Sequence, residues 1–371
     1  MSYETRKVLF QRIEEVRNHP LITYVTSIRS GLSGNMAGDA IEHIIDQIRL
    51  IPRDQEAIDF LIISNGGDPI TSLRIISLLR ERFKKISVII PYVAYSAATI
   101  LALGADEIIM HPYSNLGPVD PQLTVSKQAD NGQPSQIQFS SEDIRNYIEF
   151  VKSDVGITDQ EHLTTAFNAL AKEVGPLPIG SAKRSQQLSL SLSEKMLETH
   201  MDDKSKAIAI SKALNSSYFH HGYAVGRTEA KNIGLNVIYP EEALEELMWE
   251  VWSDYSTEMK CGREFNIIAE VMSNPSSAAQ INSIPVVDLP ANMPPQVVQS
   301  IIATATKNTG ITMRRTLEIT ELIASIESVR TAVHIHTKFS IAYWRDPNNM
   351  AVSFNATGYS EGWKRIGGDT I

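Results

Sequence analysis

Two short stretches of this 371-residue chain carry residue types able to do covalent chemistry together. The first is Gly66-Gly67, in SNGGDP at the end of the apolar run AIDFLIIS. The second is Ser96, in AYSAATILALG, just after a second apolar run, ISVIIPYV. A serine hydroxyl attacks a carbonyl poorly unless a base takes its proton and hydrogen-bond donors receive the oxyanion that forms. Ala94, Ala97 and Ala98 leave room for a sharp strand-to-helix turn, with Ser96 at the helix N-terminus, where unpaired N–H groups and the helix dipole favour negative charge. Gly66 and Gly67 put no side chain in the way of close approach, so the Gly67 N–H and the Ala97 N–H can face one point. Alone, each piece has a plainer reading, a turn for the glycines and a helix cap for the serine.

The surrounding pattern supplies the elements that would position them. A helix is expected over 5–18, with Val8, Leu9, Ile13 and Val16 at helical spacing, and a strand over 21–28. Ile41, Ile44, Ile45 and Ile48 mark a helix in DAIEHIIDQIRLI, AIDFLIIS reads as a buried strand, and Leu73, Ile76 and Leu79 share a face of the next helix. Strand ISVIIPYV, helix SAATILALG and strand EIIM follow. Such alternation is the signature of parallel β-α units, whose loops leave the C-terminal strand ends along one sheet edge. NGGDP, AYSAA and HPYSNLGP all leave that edge.

Residues 124–140 are polar and read as an exposed excursion. Two helices follow, the second with a Thr158/Glu161 capping box and ended by Gly175, Pro176 and Pro178. A long helix is expected from Ser181 through AKRSQQLSLSLSEKMLETHMDDKSKAIAISKAL, then a turn, a short helix and a last strand in HHGYAVGRTEAKNIGLNVI, and a helix over 241–255. Beyond about Lys260 the pattern changes: helices and a Pro-rich loop over 261–325, then alternation over 326–358 that suits antiparallel strands. The domains expected are 1–258, an α/β domain, and 259–371, a small C-terminal α+β domain of unassigned role.

The run from SNGGDP through AYSAATILALGADEIIMHPYSNLGPVDPQL resembles the core of the Clp-protease/crotonase superfamily. It is most similar there to serine peptidases of the serine dehydrogenase proteinase and signal peptide peptidase A type. The 29-residue interval from Gly67 to Ser96 is close to the one that family uses, and HGYAVGRTEAKNIGLNVI resembles its closing element. The resemblance covers about 20–240. It implies a fold of repeated β-β-α units with a parallel sheet, a peptidase acting through an acyl-enzyme, and a homo-oligomer. Ser96 would be the nucleophile, with Gly67 and Ala97 forming the oxyanion hole. Two positions depart from the pattern: Ala97-Ala98 stands where relatives have Gly-Gly after the serine, and LGPVDPQ holds Asp120 where Clp-type members have a histidine.

The base therefore stays open. The region GSAKRS resembles the lysine region of signal peptide peptidase relatives, which implies a Ser-Lys mechanism with Lys183, in several relatives reaching the serine of a neighbouring subunit. A desolvated lysine can act as a base; the plain alternative is that Lys183 and Arg184 are a solvated pair. His111, at the end of the strand after the Ser96 helix, is the second candidate, and Asp120 and Lys172 follow. The competing readings are a catalytically inactive scaffold that binds a partner, and a crotonase-like acyl-transfer enzyme in which Ser96 has no role.

Composition narrows the classes. A net charge of −9 argues against a general nucleic-acid binder, and the single cysteine, Cys261, permits neither an intramolecular disulfide nor a multi-cysteine metal site. The pairs His220-His221 and His334/His336 lack further ligands at a recognisable spacing, so no metal and no cofactor is expected. The N-terminal stretch does not read as a secretory signal, and a cytoplasmic location is the expectation. Residues 86–105 carry no charge over a span long enough to cross a membrane, but Pro91 and the switch from β-branched to helical pattern read as strand, turn and helix. Protein or peptide substrate is the partner expected.

Overall fold

The computed structural model describes residues 2–128, 134–216, 222–289, 292–347 and 350–366. The chain divides into two compact units, one made of Met1–Thr26, Gly34–Asp254 and Ile326–Thr331, the other of Ser27–Ser33, Tyr255–Ser325 and Ala332–Ile371.

The first unit begins with α1 (Tyr3–Arg17), β1 (Leu21–Thr26), α2 (Ala40–Arg49), β2 (Ala57–Ile63), α3 (Pro69–Arg82), β3 (Lys85–Ile90), β4 (Val93–Ala94), α4 (Ala97–Leu103), β5 (Glu107–Met110) and β6 (Asn115–Leu116). It continues with β7 (Gln122–Gln128), β8 (Pro134–Ser140), α5 (Ser141–Ser153), α6 (Gln160–Val174), α7 (Pro176–Leu197) and α8 (Lys204–Ser216). The last elements are β9 (Val225–Gly226), α9 (Arg227–Asn232), β10 (Val237–Ile238) and α10 (Glu242–Glu258), whose final residues belong to the second unit. The main sheet here runs β10-β5-β3-β2-β1, every pair parallel. Its inner strands are buried along nearly their whole length, which is why they read as continuous apolar runs. Short strands form a second sheet, β4-β6-β9, so β3, β4 and α4 make one β-β-α unit. The uncharged stretch 86–105 is thus strand, turn and helix, and no helix among the described residues is long and apolar enough to cross a membrane.

Several expectations need correction. On α1 the buried residues are Tyr3, Arg6, Phe10 and Ile13, while Val8 and Val16 are about half exposed. A fully buried arginine explains the rotation: Arg6 pairs with Glu327 at 2.7 Å and Asp254 at 2.6 Å, and removing one partner of such a buried group typically costs about 3–5 kcal/mol. The polar stretch after residue 121 is an antiparallel hairpin, β7 with β8, and it packs on the following helices through Leu123, Val125, Phe139, Val174 and Ala182. The cap of α6 is Asp159, which accepts the His162 N–H at 3.0 Å, in place of Thr158. Pro176 and Pro178 open α7 instead of ending its predecessor, because the first turn of a helix has no N–H to lose. The single long helix is in fact α7 and α8, separated at 198–203.

The second unit holds α11 (Ile267–Ser273), α12 (Pro275–Asn282), α13 (Pro295–Thr309), β11 (Arg315–Glu327), β12 (Ala332–Arg345) and β13 (Val352–Ile366). β11 starts inside the stretch read as helical, since its alternating LEITELIASIE is strand-like. The three strands lie side by side, with β12 and β13 antiparallel. Val271, Ile281, Ile341 and Tyr343 form the core of this unit.

Candidate active site

The two turns leave the C-terminal ends of the adjacent strands β2 and β3, and backbone bonds tie them together. The Ser64 N–H donates to the Val93 carbonyl at 3.0 Å, and the Tyr95 N–H donates to the Ser64 carbonyl at 2.9 Å. The buried Ser64 hydroxyl accepts the Gly66 N–H at 3.0 Å and the Thr26 hydroxyl at 2.8 Å. From the other side, the Met36 N–H donates to the Gly66 carbonyl at 2.8 Å and the Asp68 N–H to the Met36 carbonyl at 2.9 Å. The Gly-Gly turn is therefore clamped by a segment before α2 that has no mark in the local sequence.

Both glycines are required by the backbone. Gly66 has φ +106°, and a Cβ there would meet the Tyr95 carbonyl at 2.7 Å and the Ser96 Cβ at 2.8 Å. Gly67 has φ +148°, and a side chain there would fall inside the Met36 backbone. Ser96 itself has φ 51° and ψ −117°, a conformation rare for a residue with a side chain. Strain of this kind costs about 1–3 kcal/mol and persists only where neighbours over-determine it. Here they do. The Ser72 hydroxyl donates to the Ala97 carbonyl at 2.6 Å, and the Thr99 hydroxyl lies 2.7 Å from the Ala94 carbonyl and accepts the Gly117 N–H at 3.1 Å. Burial pushes the neighbouring Tyr95 phenol up, as expected where water is thinned out.

Ser96 and Gly67 open into one cavity of about 400 Å³. Ile100, Val119, Leu123 and Leu188 give it an apolar wall, and Ser185 and Ser189 of α7 complete it. Among the described residues no acceptor takes the N–H of Gly67 or of Ala97, and no side chain bonds the Ser96 hydroxyl. The arrangement offers a partly buried serine hydroxyl and two unspent donors beside an apolar hollow.

The base candidates lie elsewhere. Lys183 is exposed on α7, on a side turned away from Ser185, Leu188 and Ser189, because two residues of helix rotate by about 200°. His111 lines a different cavity with Tyr113 and Trp249, and its Nδ1 accepts the Tyr113 N–H at 3.2 Å. Asp120 accepts from the Gln122 amide at 2.8 Å, Lys172 is exposed on α6, and Asp68 caps α3 through the Ile70 N–H at 3.0 Å. None of Lys183, His111, Asp120 or Lys172 lines the Ser96 cavity. His334 and His336 stand on β12 with ring centroids 5.6 Å apart, and His220-His221 lies outside the described residues. Sequence reasoning missed Gly66 as the closer neighbour of Ser96, and it missed the α7 wall. The spacing of Ser185, Leu188 and Ser189, three and four residues apart, was the available signal for the latter.

Residues 4–132 match the model of a family described as ClpP-like SDH-type serine proteinase. Two uncharacterized proteins of Methanocaldococcus jannaschii are similar to the chain. One is 29% identical over 196 residues, covering 53% of this chain and 56% of its own length. The other is 28% identical over 238 residues, covering 62% and 73%. The match thus spans little more than half the length of the first of these relatives. Among solved structures, a membrane-bound stomatin-specific protease, 1510-N, aligns with a TM-score of 0.37 at 16% identity, covering 62% of this chain and 84% of that one. ClpP1 from Listeria monocytogenes aligns with a TM-score of 0.33 at 13% identity, covering 64% and 99%. The matched span, residues 4–132, holds Gly66, Gly67, Ser96 and Ala97, so this part of the chain is similar to ClpP-like SDH-type serine proteinases.

Proposed function

We propose that the chain is a serine peptidase that cleaves peptide bonds through an acyl-enzyme. Ser96 Oγ bonds to the carbonyl carbon, the carbonyl oxygen takes the negative charge facing the Gly67 and Ala97 N–H groups, and the C–N bond breaks as the amine leaves with a proton. Water then attacks the ester and returns the hydrogen to Ser96. The observation that carries this reading is the strained Ser96 at φ 51°, opening with Gly67 into one cavity while both donors are unspent. Removing one such donor typically costs about 10²–10³ in turnover.

The proton acceptor is assigned to Lys183 of a second copy. Within one chain the Ser96 hydroxyl meets no base among the described residues, and Lys183 stands exposed, able to be covered by a neighbour. A covered lysine loses solvation, which moves its pKa towards neutrality and makes it a workable base. The activity, the substrate and the oligomer all belong to this proposal.

A fluorophosphonate probe tests it. Labelling of the wild-type chain that is lost in Ser96→Ala supports the peptidase. Absence of labelling at every protein concentration would leave the inactive scaffold, a reading that the missing acceptor at Ser96 also favours.

A further inference from the structure

A second cavity, of about 560 Å³, lies between the loop after β5 and α10. Glu242, Glu245, Glu246, Trp249 and Glu250 line it. Their spacing of three, four, seven and eight residues puts them on one face of the helix, while Leu244, Leu247, Met248 and Val251 fill the core from the other. Glu242 and Glu245 sit in the first turn, where the helix dipole favours them. That reason does not extend to Glu246 and Glu250. Arg227 pairs with Glu245 at 2.9 Å, and Arg12 reaches Glu250 only at 3.7 Å. Glu242 and Glu246 meet no cation among the described residues. Like charges four residues apart weaken a helix, so this face carries an uncompensated cost.

The loop wall, His111 and Tyr113, packs on Trp249 of that helix face. His111 stacks on Trp249 with ring centroids 5.2 Å apart and planes 18° apart, and Tyr113 stands edge-on to both. Tyr113 is 64% exposed and Trp249 37%. His111 is only 4% exposed, yet it lines the cavity. Its Nδ1 is an acceptor, bonded by the Tyr113 N–H, so in the neutral ring the proton is on Nε2. No described residue takes that proton. That N–H is left open at the wall of a hollow bordered by carboxylates and aromatic rings.

The occupant that answers all three features is a cation that stacks on indole and phenol, pairs with carboxylates, and carries a carbonyl oxygen within reach. A guanidinium is planar, stacks on aromatic faces and forks onto carboxylates. A backbone carbonyl beside it would accept from His111 Nε2. We propose that this cavity is a second peptide-binding site, separate from the Ser96 cavity, that takes an arginine-bearing segment of a polypeptide.

The test uses the full chain carrying Ser96→Ala, so that binding is read without turnover and independently of whether Ser96 is a nucleophile. Calorimetric titration with acetyl-Gly-Arg-Gly-amide is expected to show saturable binding that weakens as salt rises, and binding about tenfold weaker or more for the Gln peptide in place of Arg. Glu246→Gln with Glu250→Gln, on the exposed helix face, is expected to remove the difference between the two peptides while the melting temperature holds. Trp249→Leu is expected to weaken the Arg peptide selectively. Equal affinity for the Arg and Gln peptides, Arg-peptide binding indifferent to the glutamine pair, or no binding at all would overturn the proposal and return α10 to a solvated acidic face.

Discussion

A methyl group on Gly66 would stand 2.8 Å from the Cβ of Ser96 and 3.0 Å from the Ala97 nitrogen. The carbon that carries the proposed nucleophilic oxygen and one of the N–H groups proposed to stabilise the product of attack are thus packed against bare backbone. Gly66→Ala must push them apart, and it adds a side chain at φ +106°. The expected outcome is a fall of about 10²-fold or more in the rate of fluorophosphonate labelling, with the protein still folded by circular dichroism. Labelling at the wild-type rate would show that this approach is not needed.

Placing the base on a second copy predicts complementation. Ser96→Ala and Lys183→Ala are each expected to be unreactive, and a mixture of the two is expected to recover up to a quarter of the sites if copies exchange as random pairs, about 25% by simple mixing statistics. Labelling of wild type should also fall on dilution below the dissociation constant of the dimer. Full labelling of Lys183→Ala by itself would remove the lysine from the mechanism.

Around Ser96 the cavity is walled by Ile100, Val119, Leu123 and Leu188, and the charged residue that also lines it, Asp68, is engaged by the Ile70 N–H and the Thr71 hydroxyl at the start of α3. Burying a charge there without a partner costs several kcal/mol, roughly, against a gain of about 1.5–3 kcal/mol for a Leu or Phe side chain. Cleavage after apolar residues is therefore expected, and a peptide library read by mass spectrometry checks it. Leu188→Asp should suppress cleavage after Leu or Phe; a preference for Asp or Lys in the wild-type chain would contradict the assignment of this hollow to the substrate side chain.

Burial depresses the pKa of His111 and of His200 below the ordinary histidine value, with Arg227 adding to the first effect and Glu245 opposing it. His200 is held neutral, its Nε2 donating to the Leu103 carbonyl at 2.9 Å. Between the depressed value and about 6.5 the unfolded chain binds more protons than the folded one, so stability rises with pH across that window. The urea midpoint is expected to drop as pH falls from about 7.5 to about 5.5, and His200→Gln is expected to flatten the drop. A midpoint that does not change over this range would show that these rings are not held neutral by the fold.

Much of the architecture around the site was legible locally. β2, α3, β3, α4 and β5 follow from apolar runs and helical spacing, since a strand buried on both faces needs no polar alternation. The turn chemistry was also local: two glycines where φ is positive, and a serine among alanines where a strand meets a helix. Errors gathered where a distant partner changes the meaning of a residue. Val8 and Val16 share a helical spacing that suits a buried face, yet it is Arg6, held by Glu327 and Asp254, that is buried, and Pro176 reads as a stop until α7 begins on it.

By itself the sequence determined the strands and helices from β1 through β5 and the residue types at Gly66, Gly67, Ser96 and Ala97, because steric and periodic preferences act over a few neighbours. Only the tertiary structure decided what faces Ser96. It brought Gly66 against the serine, turned Lys183 outward, enclosed His111 with Trp249, and raised the α7 wall beside the cavity. Those relations depend on the packing of elements tens of residues apart, and no local preference encodes the direction in which a side chain meets a partner from another part of the chain.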